Sequence, residues 1–170
     1  HHLLNFRLNA WGKDVFTHTG TNLLDAFLAL PARALFGPIL GTNLWVLLIL
    51  VGNGVGGAAI AKSVGCQRWG CALGAVLGVL NPAALFALEN GRPTQAMLFF
   101  MSMWVASLCL PGTWIRGVVG GIFLGLTGLG YWYFGLLGGL LGVFAGLVRF
   151  RKLSEWKRLL MAAVVSVAIV

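Results

Sequence analysis

The sequence predicts an all-α protein, a polytopic transmembrane helical bundle with an external loop that carries an interfacial helix. Apolar residues make up 59% of the 170 residues and charged residues only 9%, against about 45–50% and about 25% in an ordinary soluble domain. Several almost uncharged stretches also reach the length of about 20 residues with which a helix crosses a bilayer. These observations exclude a soluble globular protein, because too few polar residues are present to cover a water-exposed surface.

The external loop and its interfacial helix are predicted over residues 1–37. Residues 1–22 are polar and aromatic and contain no long apolar run. Residues 23–36 place apolar side chains at helical spacing, but the segment is too short and too polar to span a bilayer. Pro31 is expected to interrupt this helix. We therefore assign the segment to the membrane surface.

The transmembrane bundle is predicted over residues 38–170. Pro82 lies inside the second apolar run and is expected to kink it, because proline removes a helix hydrogen bond. The chain lacks an initiating Met, and its last apolar run has about half the length of a span. We therefore expect an internal piece of a longer protein. The predicted spans cover residues 38–61, 69–88, 96–110, 117–131, 134–148 and 159–170, the last of them truncated.

The uncharged stretch 117–148 decides the topology, because its 32 residues exceed what one crossing needs. Three aromatic residues at 131–133, followed by Gly135, favour two short helices over one long helix. If the stretch forms two helices, eight basic residues lie on one side of the membrane and four on the other. If it forms one helix, the corresponding numbers are three and nine. The positive-inside rule then assigns the eight to the cytoplasm. They are Lys62, Arg68, Arg116, Arg149, Arg151, Lys152, Lys157 and Arg158.

Glycine recurs at four-residue spacing, as at 70, 74 and 78 or at 138, 142 and 146. Such small faces let helix backbones approach closely in lipid. Residues 52–57 also match the pattern G-x-G-x-x-G of dinucleotide-binding proteins. That pattern requires a βαβ unit and an acidic residue about 20 positions further on, and the next acidic residue is Glu89. We therefore assign residues 52–57 to helix packing.

Polar and aromatic residues from three separate stretches fall on the predicted external face. They lie in the loop at 13–18, in the segment 89–95 and at 131–133. Ionisable residues at membrane depth persist mostly when they are paired or functional. Glu89 and Arg92 therefore either form an ion pair at a helix end or belong to a site. The cysteines Cys66, Cys71 and Cys109 have no zinc-ligand spacing with His, and no aromatic-interleaved basic stripe indicates nucleic-acid binding.

These stretches resemble a known family of membrane enzymes. Residues 5–14 (NFRLNAWGKD) and 17–24 (THTGTNLL) look like the first external loop of bacterial multi-pass GT-C-type glycosyltransferases. Residues 81–82 (NP), 89–95 (ENGRPTQ) and 131–133 (YWY) are also similar to segments of that family. The resemblance extends over most of the chain, although each motif is loose.

The resemblance implies transfer of a sugar from a polyprenyl-phosphate donor to an acceptor on the external face of the bacterial inner (plasma) membrane. Transfer requires a carboxylate that accepts the acceptor proton and a cation that stabilises the departing phosphate. In the family the principal carboxylate follows the first transmembrane helix, so we expect it upstream of residue 1. The resemblance gives catalytic roles to Asp14 and Glu89 and substrate-binding roles to Lys13, His18, Arg92, Gln95, Tyr131 and Trp132.

The expected partners are membrane lipid and a polyprenyl-phosphate-linked sugar, without nucleic acid, and the oligomeric state stays open. No cofactor is evident, and the sequence leaves open whether a divalent metal takes part. Two alternatives belong to other classes. One is a membrane carrier or flippase subunit for lipid-linked sugars, in which Glu89, Arg92 and the kink at Pro82 line a path. The other is a membrane protein without catalytic function.

Overall fold

A computed structural model describes residues 23–110, 113–149 and 153–170, and all regular structure in these ranges is α-helical. The all-α class predicted from the sequence is thereby confirmed for the described part of the chain. The predicted loop over residues 1–22 lies outside it. The helices are α1 Leu23–Ser63, α2 Arg68–Val79, α3 Pro82–Glu89, α4 Pro93–Ala96, α5 Phe99–Cys109, α6 Trp114–Gly130, α7 Trp132–Arg149 and α8 Leu153–Ile169.

Two helical segments, Ala26–Ser63 and Arg68–Glu89, are long and apolar enough to cross a membrane. Their most apolar windows are only 17% and 11% buried, whereas the core helix of a soluble protein is mostly buried. Shorter apolar helices cover Pro93–Cys109, Trp114–Gly130 and Trp132–Val148. Much of the apolar surface of this bundle therefore faces outward.

Helix α1 bends sharply at Gly37, whose backbone has φ 78° and ψ 172°. Glycine adopts a positive φ without steric cost, so the bend falls there. The first part of α1 folds back on the second, since the Arg33 Cα lies against Gly41 and Ala29 is buried with Trp45. The predicted interruption at Pro31 is wrong. The helix continues through Pro31 because proline loses one hydrogen bond but retains a helical φ.

Helices α1 and α2 pack antiparallel through glycine. Gly57 lies against Gly74 and Gly78, and Gly54 against Val79. A Cβ atom at Gly74 would lie 2.7 Å from the Gly57 carbonyl oxygen, so the two backbones are in direct contact. Residues 52–57 are thus the interior of a packed helix rather than a strand-to-helix turn. Their assignment to helix packing is confirmed.

Two of the predicted spans contain a break. Between α2 and α3, the Asn81 Oδ1 accepts hydrogen bonds from the backbone N–H groups of Ala83 (3.0 Å) and Ala84 (3.2 Å), and Pro82 begins α3. The predicted kink at Pro82 is therefore confirmed. A second break, which the sequence analysis did not predict, separates α4 from α5 at residues 97–98.

The stretch 117–148 forms two helices, as predicted, and Tyr131 between them has extended backbone (φ −154°, ψ 109°). Gly128 lies against Gly135 and Gly138 against Leu124, so α6 and α7 run antiparallel. Helix α8 runs parallel to α6. Its contacts pair Gly117 with Arg158, Gly121 with Ala162, and Gly125 with Ile169.

Successive long helices alternate in direction, which gives the bundle two chemically different ends. Helices α1, α5 and α7 end, and α2, α6 and α8 begin, at what we call the basic end. The opposite end holds Arg33 and Arg92. The basic end carries the other described Lys and Arg residues, Lys62, Arg68, Arg116, Arg149, Lys157 and Arg158.

Arg158 has a packing role beyond its charge. Its side chain is buried, and its Nη1 donates a hydrogen bond of 2.9 Å to the Leu110 carbonyl oxygen just past the end of α5. The last carbonyl groups of a helix lack partners within the helix, and a cation there also complements the helix dipole. From the sequence, Arg158 is expected only to contribute to the charge bias that sets topology.

Candidate functional site

The candidate residues that the structure describes lie in two turns at the opposite end of the bundle. Glu89, Arg92 and Gln95 lie in or beside the turn between α3 and α5, and Tyr131 and Trp132 lie between α6 and α7. The other three candidates, Lys13, Asp14 and His18, fall outside the described residues. Their predicted roles therefore stay predictions.

The turn after α3 is a tight helix end built around Gly91. Gly91 has φ 66°, and its N–H donates a hydrogen bond to the Leu88 carbonyl oxygen (3.0 Å). The Arg92 N–H donates one to the Ala87 carbonyl oxygen (2.8 Å). This is the Schellman arrangement, in which a left-handed glycine satisfies the last carbonyls of a helix. The backbone of the turn that carries Glu89 and Arg92 is therefore fixed.

The Glu89 and Arg92 side chains are exposed beside this turn. Within the described ranges no ion pair joins them. Pro93 begins α4, and half-buried Gln95 lies one turn further on. A carboxylate, a guanidinium and an amide are thus available on one short segment.

The turn after α6 is aromatic. Trp132 and Tyr133 stack with ring centroids 3.7 Å apart, and Tyr131 meets Phe134 edge to face at 5.1 Å. A Cβ atom at Gly130 would lie 3.1 Å from the Met97 Cε, so the end of α6 lies against the break between α4 and α5. Exposed aromatic faces beside polar groups are suited to stacking on a sugar ring or to lying at a membrane interface.

Asn53 holds the break between α4 and α5 by hydrogen bonds to its backbone. It was not among the candidate residues predicted from the sequence. Its side chain is only 2% exposed, its Nδ2 donates to the Ala96 carbonyl (2.8 Å), and its Oδ1 accepts from the Leu98 N–H (3.0 Å). These are backbone groups at the break between α4 and α5, where the helix ladder is interrupted. The signal was an amide inside an almost uncharged span, where polar residues mark special positions.

An apolar groove of about 640 Å³ runs between α7 and α8, and the sequence analysis did not predict it. Trp104 and Leu124 contribute to its floor, and its lining extends along α7 from Trp132 to Val143. Gly139 on its α7 wall faces open space. Among the described residues none that lines it is charged, and the one hydroxyl group there, on Ser166, donates to the Ala163 carbonyl at 2.9 Å. The volume lies in the usual range of about 300–1,000 Å³ for small-molecule sites.

Trp104 closes the inner side of this groove. The indole is only 3% exposed, and its Nε1–H donates a hydrogen bond of 2.9 Å to the Gly138 carbonyl oxygen. A buried indole needs such a partner, so α5 and α7 are fixed to each other at this point. The groove is therefore part of the packed bundle, with a rigid wall on its inner side.

Comparison of the chain with protein families, curated proteins and solved structures gave no match. The resemblance to GT-C-type glycosyltransferases therefore rests on the sequence motifs alone. In the part of the chain that the structure describes, no group of three or more His, Cys, Asp and Glu is arranged to hold a metal ion.

Proposed function

We propose that this is an integral membrane protein that acts on lipid-linked sugars, as a GT-C-type glycosyltransferase that uses a polyprenyl-phosphate donor. The observation that carries the proposal is the apolar groove between α7 and α8. It begins at Trp132, beside the aromatic turn, at the end of the bundle where the candidate polar residues lie.

The outward apolar surface supports membrane insertion. Large apolar side chains are exposed on α1, α2, α6, α7 and α8, among them Leu40, Val76, Leu140 and Val164, and exposure to water costs about 25 cal/mol per Å² of apolar area. By the positive-inside rule the basic end faces the cytoplasm. The opposite end then faces the periplasm or exterior of the bacterial inner (plasma) membrane.

The groove suits the hydrocarbon chain of a lipid-linked donor. Its α7 wall from Trp132 to Val143 corresponds to roughly 17 Å of helix at about 1.5 Å per residue. A polyprenyl chain lying in the groove would bring its phosphate and sugar to the aromatic turn. Gly130, which directly precedes that turn, contacts Met97 in the break between α4 and α5. Arg92 and Gln95 are carried on the turn between α3 and α5.

The proposed reaction uses the groups of both turns. The acceptor hydroxyl oxygen attacks the anomeric carbon of the sugar, and the bond from that carbon to the phosphate oxygen breaks. A carboxylate, Glu89 or Asp14, takes the hydroxyl proton. Arg92 or Lys13 stabilises the departing polyprenyl phosphate, because a cation compensates the charge that develops on its oxygens. Tyr131 and Trp132 stack on the sugar, while Gln95 and His18 hydrogen-bond to its hydroxyl groups.

The two helix breaks favour a second candidate, a carrier or flippase subunit for lipid-linked sugars. Transporters often bind substrate where helices are discontinuous, and here both the α2–α3 and the α4–α5 junction are interrupted. In this alternative Glu89 and Arg92 line a path for the headgroup and take part in no chemical step.

The test is a sugar-transfer assay on the full protein in vesicles that contain a labelled polyprenyl-phosphate sugar and an acceptor. General-base catalysis by a carboxylate raises a rate by about 10²–10⁴-fold. If Glu89 is that base, the rate of sugar transfer by the Glu89→Gln variant should fall by this factor. Lys157→Gln at the basic end, also an exposed residue, should keep the full rate. If Glu89→Gln and Asp14→Asn both transfer at the wild-type rate, the catalytic assignment is wrong. Movement of the donor across the vesicle without transfer would instead favour the carrier.

A further inference from the structure

The described helices form two parts of unequal height, a tall part made of α1, α2 and α3 and a short part made of α6 and α7. In the tall part, α2 and α3 cover Arg68–Glu89, whose 22 residues correspond to about 33 Å of helix. In the short part, α6 (Trp114–Gly130) has 17 residues, or about 25 Å. Tyr131 follows α6 with extended backbone, and α7 begins at the next residue and runs back. The short part therefore ends before it reaches the height of α3.

Both parts begin at the same level, at the basic end. Lys62 near the end of α1, Leu110 after α5 and Arg116 in the first turn of α6 line one small cavity. Helix α1 ends at Ser63 and α2 begins at Arg68, so α2 starts beside this level as well. The difference in height therefore falls at the opposite end of the bundle.

At the opposite end, the tall part projects past the end of α6. Gly130 at that end contacts Met97, and Met97 shares a buried cluster with Ile49 of α1 and Ala84 of α3. From Ile49, α1 extends over 12 further residues to its bend at Gly37, which is about 18 Å of helix. This projection is built from α1 and α3 and has no counterpart in α6 or α7.

The residue types mark a different membrane surface for each part. Exposed Glu89 and Arg92 lie just past the end of the tall part, whereas Trp132 and Tyr133, each 50% exposed, begin the return helix of the short part. Charged side chains favour the outside of the hydrocarbon, and Trp and Tyr are enriched at its boundary. Leu48, next to Ile49 on α1, is 56% exposed at a height where the short part has already ended. One flat membrane surface therefore does not fit both parts.

The thickness of a bilayer decides which part is mismatched. Its hydrocarbon core is about 30 Å thick, which the tall part matches with a modest tilt. The short part is about 5 Å too short even when upright. Tilt does not remove the difference, because both parts pack on α5, through Gly56 with Ser102 and through Gly120 with Trp104, and so tilt together. A bilayer accommodates a short hydrophobic segment by becoming thinner beside it.

We propose that the membrane is thinner beside the short part than beside the tall part, with the external headgroups drawn down to the aromatic turn at residues 131–133. The partner of the α6 and α7 surface is thus lipid in a locally thinned external leaflet. The proposal rests on the membrane insertion argued above but not on sugar transfer. It implies that the phosphate of a lipid beside α7 lies closer to the bilayer midplane than the turn that carries Glu89.

The first test compares the depth of two spin labels on the full protein in dioleoylphosphatidylcholine bilayers. Leu48→Cys and Tyr133→Cys place labels at similar heights on the two parts, at positions that are 56% and 50% exposed. Depth is read from relaxation enhancement by oxygen, which concentrates in hydrocarbon, and by a water-soluble nickel chelate. The label at 133 should lie at the headgroups, and the label at 48 should lie about 5–8 Å deeper. The background carries Cys66→Ser, Cys71→Ser and Cys109→Ser.

A second label on α7 keeps the test valid if Tyr133→Cys loses helical content. Leu137→Cys is 54% exposed and lies four residues further along α7. Its label should lie about 6 Å below the headgroups beside the short part.

The second test changes the thickness of the bilayer. The same labelled proteins are measured in dimyristoleoyl-, dioleoyl- and dierucoylphosphatidylcholine, in order of increasing acyl length. The label at 48 should become deeper along this series, because α1 passes through the full leaflet at that point. The label at 133 should stay at the headgroups, because the length of α6 fixes the leaflet beside it.

Three results would overturn the proposal. The first is equal depth of the labels at 48 and 133, and the second is an equal increase in their depth with acyl length. The third is a label at 133 that neither oxygen nor the nickel chelate reaches, because protein rather than lipid would then cover α7. None of these measurements uses a sugar donor, so failure of transfer does not enter them. Full access of the nickel chelate to both labels would instead contradict the membrane insertion on which both proposals rest.

Discussion

Glycine lines both the seam between α1 and α2 and the groove between α7 and α8, with opposite results. In the seam, a Cβ atom at Gly57 would collide with the Gly74 carbonyl, and one at Gly78 would collide with that of Asn53. In the groove, Gly139 faces open space, unlike Gly135 and Gly142 on the same helix. The missing side chain lets two backbones touch in the seam and leaves room at Gly139. What a glycine does therefore depends on the element that faces it.

The largest loss of stability is expected when a side chain is added in the seam between α1 and α2. Gly57→Ile places a branched side chain against the Gly74 backbone, which has no flexible end to move away. The helices must separate, and we expect a loss of stability of about 3 kcal/mol or more. The measurement is the thermal unfolding midpoint in detergent micelles.

Gly139→Ile is the matched control for this prediction, since it makes the same change in the groove. Because its side chain enters open space, stability should change by no more than about 0.5 kcal/mol. Equal destabilisation by the two variants would contradict the distinction between seam and groove.

A smaller effect is expected at the helix break below the candidate site. Asn53→Leu removes two hydrogen bonds, to the Ala96 carbonyl and from the Leu98 N–H, and leaves those two backbone groups with only the bond of 2.9 Å between them. Each lost hydrogen bond is worth about 0.5–1.5 kcal/mol, so we expect a total of about 1–3 kcal/mol and faster hydrogen exchange at the Leu98 amide. Asn43→Leu makes the same change at an exposed position of α1 and should be nearly neutral. Wild-type protection at Leu98 in Asn53→Leu would show that the amide does not hold the break.

The smallest loss of stability is expected at Trp104, which closes the inner side of the groove. Trp104→Phe keeps most of the buried ring but removes the hydrogen bond to the Gly138 carbonyl, which is worth about 0.5–1.5 kcal/mol. The unfolding midpoint should fall accordingly, while Trp69→Phe, at a position 88% exposed, should leave it unchanged. An unchanged midpoint in Trp104→Phe would mean that packing alone fixes α5 against α7.

The seam was predictable from the sequence and the groove was not, for one physical reason. Four-residue spacing reports that a helix face is small, as at Gly70, Gly74 and Gly78, but it does not report the distance to the facing helix. The bend in α1 was misplaced for a related reason. Proline is the stronger helix breaker by propensity, yet Pro31 stays helical and Gly37 bends, because only glycine reaches the backbone angles of a tight reversal.

The sequence indicated the turn around Arg92 and the aromatic turn at Tyr131 as parts of one site, and this stays a prediction. The structure adds that Gly130, at the end of α6, contacts Met97 in the break between α4 and α5. Asn53 was overlooked because its partners are backbone groups more than 40 positions away along the chain, and no local pattern specifies such a bond. The roles of Asp14 and Lys13 concern the loop outside the described residues and stay predictions.

The parallel packing of α6 on α8 has a consequence for biogenesis. Gly117 and its partner Arg158 are separated by 41 positions, which a ribosome covers in about 2–8 s at about 5–20 residues per second. During that interval α7 is being made while the glycine face of α6 has no cognate partner. A nascent chain arrested before α8 emerges would present that face to the insertion machinery and to neighbouring proteins, so the synthesis of α8 completes the packing of α6.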